Sequence, residues 1–223
     1  MNNNNSDRVL KDLQLDSLQG VLIDIDNTMY SYLPNHINAL KASYQFYRES
    51  TGAIDLTYVE FSDEYRSARD LVTEKHANTG ACRSRLLAFH LLSCKFKLPN
   101  PYIAARDLEK IYWDQFIVGM EVFPYIYEFL KKCKSKNLVI SAVTDMQYQI
   151  QVKKLEKLNL TKYIDYLITS EEAGTEKPNK EIFELALSRM GLNVDEVIMI
   201  GDSLEKDIAG ANNVGIKPIH LPY

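Results

Sequence analysis

The stretch Gly20-Val21-Leu22-Ile23-Asp24-Ile25-Asp26-Asn27-Thr28 decides how the rest of the chain is read. Val21 to Ile25 is a short apolar run broken only by an acid, the pattern of a buried strand. Asp24 and Asp26 fall two residues apart where that strand should end, and alternation by two would put both side chains on one side. Two like charges that close are costly to bury unless a cation or a proton relieves them. The pair therefore reads as a metal site or as catalytic carboxylates of different protonation. Taken alone, the stretch fits solvated turn residues after a strand equally well.

Working outward, the 223 residues suffice for one large domain or two modest ones. Hydrophobic residues make up 46% and charged residues 25%, which are globular values. The net charge is −4 with Lys and Arg scattered, so no basic footprint for nucleic acid or an anionic membrane is present. Cys82, Cys94 and Cys133 are odd in number and lack metal-site spacing, as expected of reduced thiols. No apolar run reaches the length of a membrane span and no signal peptide is visible. The expectation is a soluble cytoplasmic protein. Residues 1–9, opening Met1-Asn2-Asn3-Asn4-Asn5-Ser6, read as a polar disordered tail.

Leu10 to Leu18 forms a short lead-in to the first strand, and Pro34 stops the connector beyond Thr28. Four helices follow with no strand between them. The first carries Ile37, Leu40, Tyr44 and Tyr47 and stops at Gly52. The second opens at Thr57 with Glu60 as a capping box and buries Phe61, Tyr65, Ala68 and Val72. The third runs from Ser84 on Leu87, Leu91 and Cys94, and Asn100-Pro101 starts the fourth on Ala104, Leu108 and Ile111. From Pro124 helices and apolar strands alternate: strands over Leu138 to Val143, Tyr166 to Thr169, Val197 to Ile200 and Pro218 to Leu221. Alternation of this kind implies a parallel sheet covered on both faces, with ligands at the carboxyl ends of its strands. The expected fold is thus an α/β, Rossmann-like parallel core over 10–32 and 120–223, with a helical cap over 33–119.

At those strand ends stand Asp24 and Asp26, Thr144 with Asp145, Lys177 in a loop, and the segment Gly201-Asp202-Ser203-Leu204-Glu205-Lys206-Asp207. Singly, each has a plain reading: Thr144 as a helix N-cap, Lys177 as a loop charge, Gly201-Asp202 as a turn, Asp207 as a solvated helix residue. Together and in this order they resemble the four motifs of the haloacid dehalogenase superfamily of phosphohydrolases. The resemblance spans residues 20 to 221, and the helical insertion resembles that superfamily's small cap.

The resemblance implies a phosphatase acting on a small phosphorylated metabolite, with Asp24 as the nucleophile that forms an aspartyl-phosphate. Asp26 would be its general acid and then base. Thr144 and Lys177 would contact the phosphoryl group. Mg²⁺ would be held by the Asp24 and Asp202 carboxylates and the Asp26 backbone carbonyl, with Asp207 orienting Lys177 or a metal-bound water. Asp145 departs from the Asn of many relatives and is a further candidate for substrate contact or for capping the next helix. Arg83 and Arg85 are cationic candidates in a cap that would close over the site and select the substrate, or else solvated helix-end charges. His36, His76, His90 and His220 have no ligand spacing and carry no assigned role.

Rival readings on the same fold are a phosphosugar mutase and a 2-haloacid dehalogenase. Asp26 argues against the latter, because dehalogenase relatives lack the second aspartate and need no metal. A catalytically inactive binding protein is the alternative from another class. The segment Ser170 to Pro178 resembles relatives acting on nucleotides or acylneuraminate phosphates.

Overall fold

The computed structural model describes residues 3–52, 56–77 and 79–222. Met1 and Asn2, at the head of the expected disordered tail, lie outside them. The chain divides into two compact units, one of residues 1–31 with 121–223 and one of Tyr32–Met120. In chain order the elements are α1 (Asn3–Asp12), β1 (Gly20–Ile23), α2 (Tyr32–Thr51), α3 (Tyr58–Lys75), α4 (Arg85–Lys95) and α5 (Pro101–Val118). Then come α6 (Pro124–Ser135), β2 (Val139–Thr144), α7 (Tyr148–Lys157), β3 (Tyr166–Thr169), α8 (Ser170–Ala173) and α9 (Lys180–Met190). The chain ends with β4 (Val197–Gly201), a π-helical turn over Leu204–Ala209, α10 (Gly210–Asn213) and β5 (Lys217–His220).

The five strands form one parallel sheet in the order β3-β2-β1-β4-β5. Leu22 of β1 stands opposite Ser141 on one side and Met199 on the other. Leu22, Val143, Ile168, Val197 and Met199 pack against Ile182, Phe183, Ala186 and Met190 of α9. Residues of the other parity, Val21, Ile23, Ile140, Ala142, Ile198 and Ile200, are buried as completely. Burial on both faces is why these strands read as unbroken apolar runs. From β1 the chain steps outward to β2 and β3, then crosses back to β4 and β5. The crevice where that order reverses lies at the carboxyl ends of β1 and β4.

The N-terminal expectation is corrected, because the supposed tail is helical from Asn3. Ser6 and Leu10 are buried, and Lys132 on α6 donates to the carbonyls of Lys11 and Leu13, each at 3.0 Å. A cation on the last carbonyls of a helix and one anchoring leucine suffice where composition alone suggested disorder.

In the helical unit, α5 packs on α2 and α4, and α3 on α4. The capping box at Thr57 is present: its side chain accepts from the Glu60 amide at 3.3 Å and the Thr57 amide donates to the Glu60 carboxylate at 2.8 Å. The stripe of α3 is the one expected, Phe61, Tyr65, Ala68 and Val72. Those of the neighbouring helices are corrected. On α2 Ile37 is exposed, and Ala39, Leu40, Ser43 and Tyr47 face inward. On α4 Leu91 and Cys94 face out, while Arg85, Ala88, Phe89 and Leu92 are buried. On α5 the buried set is Ala105, Leu108, Tyr112, Trp113 and Phe116. Apolar residues on several sides of each helix leave the rotation undetermined by periodicity, and aromatic packing decides it. Among the described residues no helix is long and apolar enough to cross a membrane.

Phe183→Ala, at the centre of the α9 contact, should lower stability by about 3–5 kcal/mol, whereas Thr57→Ala should cost about 1 kcal/mol through the lost cap. Urea unfolding of the two variants checks the contrast; equal losses would mean that α9 is not the core contact described.

Candidate active site

The site begins where β1 stops. The Asp24 amide donates to the Ile200 carbonyl at 2.9 Å, carrying the β1–β4 ladder one residue further. The chain then turns sharply, with Asn27 at φ 66° and the Met29 amide bonded to the Ile25 carbonyl at 2.9 Å. Asparagine is among the few residues that enter the left-handed region readily. The turn brings the Thr28 hydroxyl to 3.1 Å from Asp24 Oδ2 and 3.3 Å from Asp202 Oδ1. Because the strand ends at Ile23, simple alternation does not govern Asp26. The two aspartates have different partners.

Asp24 Oδ1 accepts from Lys177 Nζ at 2.7 Å. The same ammonium donates to Asp207 Oδ1 at 2.6 Å and to the Val143 carbonyl at 2.9 Å. Burial works against this ammonium, yet Asp207, Asp24 and Asp145 outweigh it and hold Lys177 well above the ordinary lysine range. The plain readings of Lys177 as a loop charge and Asp207 as a solvated residue both fail, since both are buried. Asp207 also accepts from the Ser203 amide at 3.0 Å, so it orients Lys177 from a fixed position. Gly201 is required here: a Cβ built on it would lie 2.2 Å from Asp207 Oδ2.

Asp26 is bound by Lys154 Nζ at 2.6 and 2.9 Å, by the Tyr30 hydroxyl, and by Gln151 at 3.4 Å. Burial pushes its carboxyl up, but Lys154, Tyr30 and Gln151 together hold it below the usual carboxylate range. Sequence reasoning missed Lys154, which is fully buried on α7. The available signal was Gln151 and Lys154, polar residues three apart on the stripe shared with Ile150 and Leu155.

Thr144 ends β2, buried, and its hydroxyl accepts from Gln151 Nε2 at 2.6 Å. It caps no helix, since α7 begins after Gln147. Asp145 does not cap α7 either. One of its oxygens takes the Lys177 amide at 2.9 Å and the other Lys206 Nζ at 2.8 Å, so it ties the Lys177 loop to the segment after β4. His220 holds the Asp202 carbonyl at 2.9 Å.

Asp24, Asp202 and Asp207 each present a carboxylate oxygen within 4.8 Å of the other two. The Asp26 side chain is not in that set. Burial pushes the Asp24 carboxyl well up against the pull of Lys177, and Asp207 and Asp26 add to the rise. Burial and Asp207 push up Asp202 in the same way. Crowded carboxylates that raise one another, offering only oxygen donors, suit a hard divalent cation. The residues present therefore fit Mg²⁺.

The family model of haloacid dehalogenase-like hydrolases matches residues 18–215. The chain is 35% identical over 200 residues to the ribulose-1,5-bisphosphate 5-phosphatase of Halopiger xanaduensis, covering 89% of this chain and 82% of that one. It is 28% identical over 205 residues to the glyceraldehyde 3-phosphate phosphatase of Methanopyrus kandleri, covering 92% and 84%. Among solved structures, the 2-haloacid dehalogenase of Pseudomonas syringae pv. tomato superposes with a TM-score of 0.72 at 22% identity, covering 91% and 86%, a likeness of fold. With a matching family model over most of its length and a phosphatase relative above 30% identity, the chain belongs to the haloacid dehalogenase-like hydrolases.

Proposed function

We propose that the chain is a Mg²⁺-dependent phosphatase that hydrolyses a small phosphorylated metabolite through a phosphorylated Asp24. The observation that carries this reading is the Asp24 carboxylate, buried at the switch point and held by Lys177 and Thr28 beside Asp202 and Asp207. A sugar phosphate is favoured over a nucleotide by relatives that match along most of the chain, among them two named for phosphorylated sugars or trioses. The free thiols of Cys94 and Cys133 support a cytoplasmic setting.

Asp24 Oδ2 or Oδ1 attacks phosphorus, the bond from phosphorus to the leaving oxygen breaks, and that oxygen takes a proton from Asp26. Water then attacks the phosphorus of the acyl phosphate and gives its proton to Asp26. Inorganic phosphate leaves and Asp24 is regenerated. Lys177 offsets the charge on Asp24 and on the phosphoryl oxygens, and the Thr144 hydroxyl donates to one of those oxygens. Mg²⁺, held by the Asp24 and Asp202 carboxylates and the Asp26 carbonyl, would supply the positive charge that lets an anionic substrate approach this cluster of acids. Paired with Lys154, Asp26 is ionised, the state the hydrolytic half needs. To serve as the acid it must share or exchange that partner. Lys154 is thus a positioning residue for the proton transfers.

Three outcomes test the reading. Chelation should abolish turnover of a sugar phosphate and added Mg²⁺ should restore it; undiminished activity in EDTA would remove the metal role. Asp24→Asn should yield no trapped phosphoryl-enzyme and no turnover, while Asp26→Asn should lose on the order of 10²–10⁴ in kcat with alkyl leaving groups and less with an aryl phosphate. Near-normal turnover by Asp24→Asn would sink the nucleophile. Lys154→Met should lower kcat by about 10–100-fold with the same alkyl-over-aryl bias, as for groups that orient a catalytic ligand; an equal loss on both substrates would make Lys154 structural.

A further inference from the structure

The helical unit contains a pocket of about 400 Å³ that the catalytic residues do not explain. Four guanidinium groups line it, from Arg66, Arg69, Arg83 and Arg85, with the exposed Asp70 as the one lining carboxylate, and Arg66 is already paired with Asp63 at 3.2 Å. Arg85 is buried, and its terminal nitrogens donate to the hydroxyls of Tyr65, at 3.0 Å, and Tyr32. Its Nε, also buried, has no acceptor among the described residues. Arg69 is half-buried and held by the carbonyls of Cys82 and Ser84, at 3.3 and 3.1 Å. Neither Arg69 nor Arg85 forms an ion pair with a carboxylate among the described residues. A guanidinium taken out of water without a counter-charge is costly, and its planar fork matches tetrahedral oxyanions.

We infer that this pocket binds a dianionic phosphoryl-type group, gripped by Arg69 and Arg85. Two sources share that chemistry: a second phosphoryl group carried by the substrate, or a free oxyanion acting as an effector. The first source rests on the phosphatase reading above; the second does not.

His36 supplies an internal reporter. Its ring faces Tyr32 on its own helix α2, Tyr65 on α3 and Tyr112 on α5, and its Nδ1 lies 2.7 Å from the Tyr112 hydroxyl. Burial, then Arg85, Arg69 and Arg66, lower it to about 4. A dianion among those arginines offsets their repulsion, so occupancy raises the His36 pKa.

The test uses the full chain with sulfate as the probe, because sulfate stays dianionic through the titration. His36 is followed by NMR, its resonance assigned with His36→Gln. Sulfate should raise the His36 pKa by about one unit relative to chloride at equal ionic strength, and Arg69→Gln, at a half-exposed position on α3, should abolish the rise. Arg85→Lys, which keeps the charge and loses the fork, should weaken sulfate binding. Kinetics then separate the sources. For a substrate-borne group, Arg69→Gln should cost about 10–100-fold in kcat/KM with sugar bisphosphates and leave an aryl phosphate within twofold. For an effector, sulfate should move His36 while Arg69→Gln treats both substrates alike. No sulfate-specific change at His36 overturns the inference. The NMR result stands even if the chain proves inactive on every phosphate ester, so the two readings fail separately.

Discussion

One buried ammonium holds the catalytic end of the sheet together. Lys177 reaches in from a loop to join the carboxylate after β1, the Val143 carbonyl of β2 and the acid that follows β4. Removing it would leave Asp24 and Asp207 buried side by side with no cation, which costs several kcal/mol for a broken buried pair. Its backbone is tied in turn through Asp145 and Lys206, so the loop is fixed at both its amide and its side chain. Even Gly201 follows from this arrangement, because Asp207 needs the space a Cβ would fill.

The sheet and its motif residues were legible because two simple constraints coincide there. Strands buried on both faces must be apolar throughout, and their polar ends stand out against that background. Asp24, Lys177, Asp202 and Asp207 lie together, and Thr144 shares Gln151 with Asp26. The environment of Asp26 was not legible. Lys154 belongs to a helix with several lysines, and nothing in the sequence marks the one that turns inward to a carboxylate across more than a hundred residues of chain. Nor could spacing assign Asp145 its loop-tying role, since both its partners are distant in sequence.

In the helical unit, legibility failed for a different reason. Helices rich in aromatic and aliphatic residues on several sides have no unique inward face by periodicity. The rings decide instead: Tyr65 with Phe89 at 4.8 Å and Phe89 with Tyr112 at 6.0 Å fix how α3, α4 and α5 turn. That rotation carries Arg85 inward over the Tyr112 ring, at 4.9 Å, rather than leaving it a solvated charge at a helix end. A guanidinium stacked on aromatic faces retains part of the stabilisation it loses on leaving water.

The insertion point itself has a consequence for how such proteins can diversify. Tyr30 pairs with Val122 in an isolated bridge, and the Phe123 amide donates to the Met29 carbonyl at 2.9 Å. The two chain ends that lead into and out of the helical unit are therefore stapled to each other within the sheet unit. A segment whose ends already meet can be lengthened, shortened or exchanged with little change in closure entropy, and without shifting the register of β1 against β2. Evolution can thus try new helical modules at this junction while the sheet keeps its hydrogen bonds.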